Sequence, residues 1–378
     1  MFLMIFVNDL VLDKGVPAWL EHAGEYEDRL GLADTVFPAF LFIVGLSIPF
    51  ALRGRIAKKY SLGSTLLHIF RRSFALLVMG IFQVNYEEYN GTGALLSKYG
   101  WLLCITIGFF LVWLDYPAGF PAIKKRFLQG SGILLLVVMA LLYKGGTPDD
   151  PEWMGTHWYG ILGLIGWSYL LCAVACLFAG GRLPILSAVA IFFIGLAIAD
   201  RAGWLNSLAP VRRYVWIVSS GALPAMTMAG VVTAVFYRRR VVQGKALQSL
   251  LILTLLALVL LAAGFALRPM GGISKIRATP SWVLICTAIS IGCFVGLAFL
   301  VDRKGRERWF HLLRPAGTST LTSYLLTYLH FALLQLLGFR LPEVLRTGGA
   351  GVIKSLVFAF LIVLLTGWLE KRRMRLAI

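Results

Sequence analysis

Residues 34–52 read DTVFPAFLFIVGLSIPFAL, one carboxylate followed by eighteen residues without a charge. A helix rises about 1.5 Å per residue, so this stretch reaches about 28 Å, close to the roughly 30 Å of a bilayer's hydrocarbon core. Apolar runs of similar character recur along the chain, and helices are expected near residues 1–12, 34–52, 66–85, 100–114, 131–143, 160–179, 183–199, 214–237, 247–267, 282–301, 319–338 and 352–369. The composition agrees. Of 378 residues, 59% are hydrophobic and 14% charged, with a mean hydropathy of +0.80, which an ordinary water-facing surface does not accommodate. The expected fold is an all-α polytopic membrane protein, a bundle of about 11–12 transmembrane helices forming one domain over residues 1–378. Two runs fit less well. The first, 1–12, is too short to span and reads as a shortened N-terminal helix, and 131–143 is also short.

The net charge of +18 could point to nucleic acid, but a nucleic-acid binder gathers its basic residues on one face. Here they alternate with the apolar runs. Arg53–Lys59 with Arg71 and Arg72, Lys124–Arg126, Arg182, Arg238–Lys245, Arg303–Arg314 and Lys371–Arg375 hold 23 of the 36 Lys and Arg. Cytoplasmic loops retain such residues, so these segments and both chain termini are expected on the cytoplasmic side of a plasma (inner) membrane. The loop between the first two helices then faces outward. Cys104, Cys172, Cys176, Cys286 and Cys293 all lie in apolar runs without the paired spacing of a metal or redox site, and read as core residues. His68, His311 and His330 show no ligand spacing, so no metal is expected.

Polar side chains at membrane boundaries are costly unless they are used. Their densest group opens the chain: Asn8, then Trp19, Glu21 and His22, then Glu25, Glu27 and Asp28, and Asp34 at the start of the second helix. Asp34 reads simply as a helix cap, since a carboxylate near a helix N-terminus accepts free N–H groups and meets a favourable dipole. His22 reads simply as an interfacial residue beside Trp19. The chemical reading is that an imidazole titrating near neutrality can take a proton from an amine or hydroxyl once a carboxylate or amide fixes its tautomer. Asp34 and Asn8 are the candidate partners. Asn85, His157, Trp158, Lys275 and Thr279 are candidates to line an acceptor pocket, with interfacial anchoring as the plain alternative.

The stretch Met4-Ile5-Phe6-Val7-Asn8, Pro17, Leu20, His22-Ala23, Gly31-Leu32-Ala33-Asp34 and Val36-Phe37-Pro38-Ala39-Phe40-Leu41-Phe42-Ile43-Val44-Gly45 resembles the opening of the heparan-α-glucosaminide N-acetyltransferase family of transmembrane acyltransferases. Arg72-Ser73-Phe74 with Gly80 and Val84-Asn85, Tyr159 to Trp167, Gly221 to Ala225, Lys275 with Thr279-Pro280-Ser281-Trp282, and Gly317-Thr318-Ser319 before Tyr324 are similar to its later landmarks. The resemblance implies a membrane-embedded enzyme that moves an acetyl (acyl) group from cytoplasmic acetyl-CoA to a sugar amine or hydroxyl outside. It implies His22 as the catalytic residue, a general base oriented by Asp34, with Asn8 positioning the acyl carbonyl or acceptor. It further implies that basic residues hold the coenzyme phosphates. Arg71 and Arg72 are the candidates, as is the Arg238–Arg240 run, for which cytoplasmic retention is the simpler account. The implied partners are the lipid bilayer and an amino-sugar or glycan acceptor, and a homodimer stays open. So do a covalent acyl-histidine route and, as a different class, a secondary transporter of a sugar-like or other small solute.

Overall fold

Unbroken apolar runs satisfy their backbone polar groups internally only as helices, and helices are what they form. The computed structural model describes the chain except residues 92, 118, 148, 209 and 211–219. In chain order the described helices are α1 (Phe2–Leu10), α2 (Leu32–Ala57), α3 (Leu62–Glu87), α4 (Lys98–Trp113), α5 (Ala122–Leu141), α6 (Gly160–Phe178), α7 (Leu183–Arg201), α8 (Ala222–Val242), α9 (Ala246–Ala266), α10 (Pro280–Ala298), α11 (Arg314–Thr318), α12 (Thr320–Leu336) and α13 (Gly348–Lys371). A two-residue hairpin pairs β1 (Gly145–Gly146) with β2 (Pro151–Glu152). Among the described residues seven helices are long and apolar enough to cross a membrane: α2, α3, α6, α7, α9, α10 with its π-helical extension to Arg303, and α13. The chain is a multi-pass helical membrane protein.

Boundaries differ from expectation where charge hides helix. The run expected at 131–143 is the second half of α5, which begins nine residues earlier and includes Lys124, Lys125 and Arg126. Lys and Arg are good helix formers, and their stems lie along apolar surface while the charged heads reach water. The first part of the helix expected at 214–237 lies outside the described residues. The described part, α8, runs past Arg238–Arg240 for the same reason. Cys172, Cys176 and Cys286 are buried as expected, but Cys293 is exposed on α10, a position that an apolar run cannot reveal.

The chain folds as two compact units. One comprises Met1–Val16, Ala75–Gly163 and Arg308–Ile378; the other comprises Pro17–Phe74 and Leu164–Glu307. In the first, α4 packs on α5 and α12, and α1 packs on α13. Trp101 centres an aromatic group with Phe82, Tyr89 and Tyr143, its indole N–H donating to the Met139 carbonyl at 2.9 Å. Lys354 of α13 reaches Asp9 and Asp13, both at 2.9 Å, and the Ser355 hydroxyl donates to Asp9 Oδ2 at 2.7 Å with Asp13 Oδ2 at 3.2 Å. Buried charge survives in an apolar setting only when paired in this way.

In the second unit, α2 packs on α8 and α10, α9 on α10, and α7 on α8. Phe42, Leu253 and Ile291 form its buried centre. The α2–α8 crossing is a backbone contact: a Cβ on Gly45 would overlap the Thr227 carbonyl, and one on Gly230 would overlap the Phe42 carbonyl. Small residues permit this approach, from which apolar helices without a hydrophobic drive between them gain packing.

Candidate functional site

The second unit carries a loop, residues 17–31, that folds back over the start of α2. Its ends are zipped by Leu32 N–H to the Trp19 carbonyl at 2.7 Å and Ala33 N–H to the Leu20 carbonyl at 3.3 Å. Gly31 sits where any side chain would overlap the Glu21 carbonyl. Arg29 braces the interior, donating to the Ala18 carbonyl at 2.7 Å, the His22 carbonyl at 3.2 Å and the Glu27 carboxylate at 2.6 Å. The Gly24 N–H and Arg29 together hold the Glu27 carboxyl below its usual range.

Asp34 lies at the centre. Its Oδ2 accepts the N–H groups of Ala23 at 2.9 Å and Gly31 at 3.2 Å, and its Oδ1 lies 2.7 Å from His22 Nδ1. The capping expectation and the orienting expectation therefore describe two oxygens of one carboxylate. The Asp34 side chain is 2% exposed and that of His22 is 34% exposed. An ionised carboxylate only accepts, so His22 Nδ1 carries the proton that it donates to Asp34, which in a neutral imidazole leaves the lone pair on Nε2. This is the arrangement by which a carboxylate sets the tautomer of a base.

Pro38 adds a second tie. Lacking an N–H, it leaves the carbonyl four residues back, that of Asp34, without its helical partner. The Trp282 indole of α10 donates to that carbonyl at 3.2 Å, and Cys286 Sγ lies 3.9 Å from it. Trp282 is in turn placed by the start of α10. There Thr279 caps, its hydroxyl accepting from the Trp282 N–H at 3.4 Å and from the Ser274 N–H at 3.1 Å, with Pro280 at the first helical position.

The loop before α10 completes the site. Lys275 Nζ lies 3.4 Å from His22 Nδ1. That nitrogen's hydrogen is committed to Asp34, so the ammonium acts there as charge, balancing the Asp34 carboxylate beside the imidazole. Burial pushes the Lys275 ammonium below the usual lysine range, partly offset by Asp34. Asp28 fastens the two loops together: its Oδ1 accepts the Ile273 N–H at 2.7 Å and its Oδ2 accepts Arg268 Nε at 2.8 Å, interactions that hold its carboxyl below the ordinary value. The Ser274 hydroxyl donates to the Glu25 carbonyl at 3.0 Å.

Of the expected residues, the structure thus brings His22, Asp34, Lys275 and Thr279 together in one unit. Thr279 serves as a buried cap rather than a surface group. Arg72 also lies in this unit, its guanidinium 4.9 Å from the Tyr169 ring, with the Nε hydrogen buried and unpartnered. Arg71 is exposed. The remaining candidates belong to the other unit. Asn8 is exposed near the end of α1. Asn85 is buried, donating to the Ile81 and Gly155 carbonyls, both at 2.7 Å, and accepting from the Gly155 N–H at 3.0 Å, so its amide pins a loop. His157 Nε2 lies 3.2 Å from the same amide oxygen, on backbone with φ of +40°, and Trp158 hydrogen-bonds to Glu87.

Sequence reasoning missed Asp28, Arg29 and Arg268 as the braces of the site, and Trp282 as the partner of a proline-freed carbonyl. It also missed the Asp9–Lys354–Asp13 cluster in the first unit. A lysine inside an apolar helix is itself a signal for such a cluster.

Compared with known proteins, the chain matches no family model and no curated protein sequence.

Proposed function

We infer that the protein is a membrane-embedded acyltransferase, moving an acetyl group from acetyl-CoA on the cytoplasmic side to an amine or hydroxyl of a sugar-like acceptor on the other side, in the manner of the glucosaminide acetyltransferases that its opening resembles. The observation that carries this reading is the Asp34–His22 pair, a buried carboxylate at 2.7 Å from a partly exposed imidazole. In the mechanism it supports, His22 Nε2 takes the proton from the acceptor nitrogen or oxygen as that atom attacks the thioester carbonyl. Asp34 holds the tautomer and steadies the imidazolium that forms. The same proton then passes from Nε2 to the departing thiolate as the carbon–sulfur bond breaks, so His22 ends as it began. Lys275, on the Nδ1 side of the ring, balances the Asp34 carboxylate and so tunes the charge that the pair presents to the reaction.

Arg72 suits the coenzyme's phosphates. A buried guanidinium hydrogen without an acceptor is a donor left for an anion, and the hydroxyls of Ser73 and Ser168 in the same unit are buried and unpartnered as well. Coenzyme A bound there would supply the activated acyl group as a thioester.

A secondary transporter is the second reading, favoured by the partly buried cluster of Asp9 on α1, Asp13 just beyond it and Lys354 on α13, because charged groups inside membrane helices also mark solute and ion paths. One experiment separates them: purified protein is given acetyl-labelled acetyl-CoA with a panel of amino sugars and neutral glycans, and uptake of the same sugars is followed in vesicles. Label on a sugar supports the enzyme. Saturable uptake without label defeats it.

A further inference from the structure

At the far end of α2 from Asp34 lies a cleft of about 640 Å³, within the size range of small-molecule sites. Asp34 and Arg53 are nineteen residues apart on one helix, so the cleft is roughly 28 Å from the His22 site. Its wall is apolar and partly buried, with Leu52 and Cys176 at 6% and 5% exposure. Its rim is basic: Arg53 from the last turns of α2, and Arg238 and Arg239 from the end of α8. Among the described residues no carboxylate lines it. The Gly180-Gly181 turn closes one side, with both residues in the left-handed region and open space where their side chains would stand.

The plain account of these arginines is that they neutralise helix C-termini and mark the cytoplasmic side. It covers only part of what is present. Arg239 donates one hydrogen to the Gly181 carbonyl, leaving four of the five donors a guanidinium carries. An apolar cleft between helices, rimmed by three cations and, among the described residues, by no anion, suits in shape and charge a phosphate on a hydrocarbon body.

We propose that this cleft between α2, α6 and α8 is a binding site for an anionic phospholipid, with its phosphate among Arg53, Arg238 and Arg239 and its acyl chains along Leu52 and Cys176. The proposal does not rest on the acyltransferase reading, and it assigns Arg238 and Arg239 to lipid rather than to the coenzyme. Each arginine near an anionic headgroup contributes about a five-fold preference, so three imply a selectivity well above ten-fold before screening.

The test uses the full chain purified in mild detergent, with phosphatidylglycerol and phosphatidylcholine added at equal concentrations and retained lipid counted by native mass spectrometry. Phosphatidylglycerol is expected to be retained at least ten-fold over phosphatidylcholine. The double variant Arg53→Gln and Arg238→Gln is expected to reduce that to about five-fold or less, the preference of the one arginine left, with the lipid-free melting temperature unchanged. Should that variant fail to fold, Arg53→Lys with Arg238→Lys must keep the preference, and Ala57→Trp, which fills the cleft from an exposed position, must lower retention. Equal retention of the two lipids, or a preference that survives both the Gln pair and Ala57→Trp, overturns the proposal. So does displacement of the lipid by coenzyme A, which would give the cleft to the coenzyme.

Discussion

Asp34 Oδ1 lies 2.7 Å from His22 Nδ1, while the other oxygen of the same carboxylate is held by two backbone N–H groups of the loop that carries His22. The loop's fold and the imidazole's tautomer therefore depend on one side chain. Asp34→Asn separates the two roles. Its amide oxygen can still cap the loop, but its amide hydrogens face Nδ1 and force the proton to Nε2, the position from which a base would act. The expected result is a well-folded protein with transfer reduced about 10³-fold, measured as kcat with labelled acetyl-CoA.

Lys275 gives the pH dependence a sign. Burial destabilises its ammonium, so it loses its proton below the ordinary 10.5, and the structure regains that cost as pH rises from the folded value toward 10.5. If the ammonium form supports transfer, the alkaline limb of kcat falls below 10.5. Lys275→Arg, which stays charged, is expected to remove that limb, and Lys275→Met to lower kcat across the whole profile.

Trp282→Phe keeps the ring and removes the donor to the Asp34 carbonyl that Pro38 leaves free. A buried acceptor without a partner costs about 1–3 kcal/mol. The variant is expected to be destabilised by that amount in thermal unfolding. Pro38→Ala in the same protein, restoring the helical hydrogen bond, is expected to recover part of it.

Asp28 reports on the two loops. Its carboxyl is held low by the Ile273 N–H and then by Arg268, so its contribution is present above its unfolded value of 3.8 and is lost as pH falls through the lower folded value. Limited proteolysis of residues 17–31 is expected to accelerate below pH 3.8. Asp28→Asn is expected to show faster cleavage at neutral pH and no further step in acid.

The spans were legible because bilayer thickness sets a length and apolar composition meets it, as in residues 34–52. Helix ends were not, where Lys124–Arg126 and Arg238–Arg240 continue a helix past its apolar part. His22 and Asp34 were legible as candidates because both are polar at a boundary that discourages polarity, and only twelve residues separate them. Lys275 was visible as a residue, but its place 3.4 Å from His22 spans 253 positions and depends on how α10 meets α2. The same holds for Asp28 with Arg268, and for Asp13 with Lys354: charge type is written locally, whereas the pairing is a property of packing.

The most direct measurement compares wild type with His22→Gln, both purified and matched in melting temperature, for transfer of labelled acetyl from acetyl-CoA to a sugar amine or hydroxyl. Labelled sugar is expected from the wild type, and a rate lower by about 10²-fold or more from His22→Gln. Undiminished transfer by His22→Gln, or no transfer by the wild type to any acceptor while it takes up the same sugars, would rule out His22 as the base of an acyltransferase.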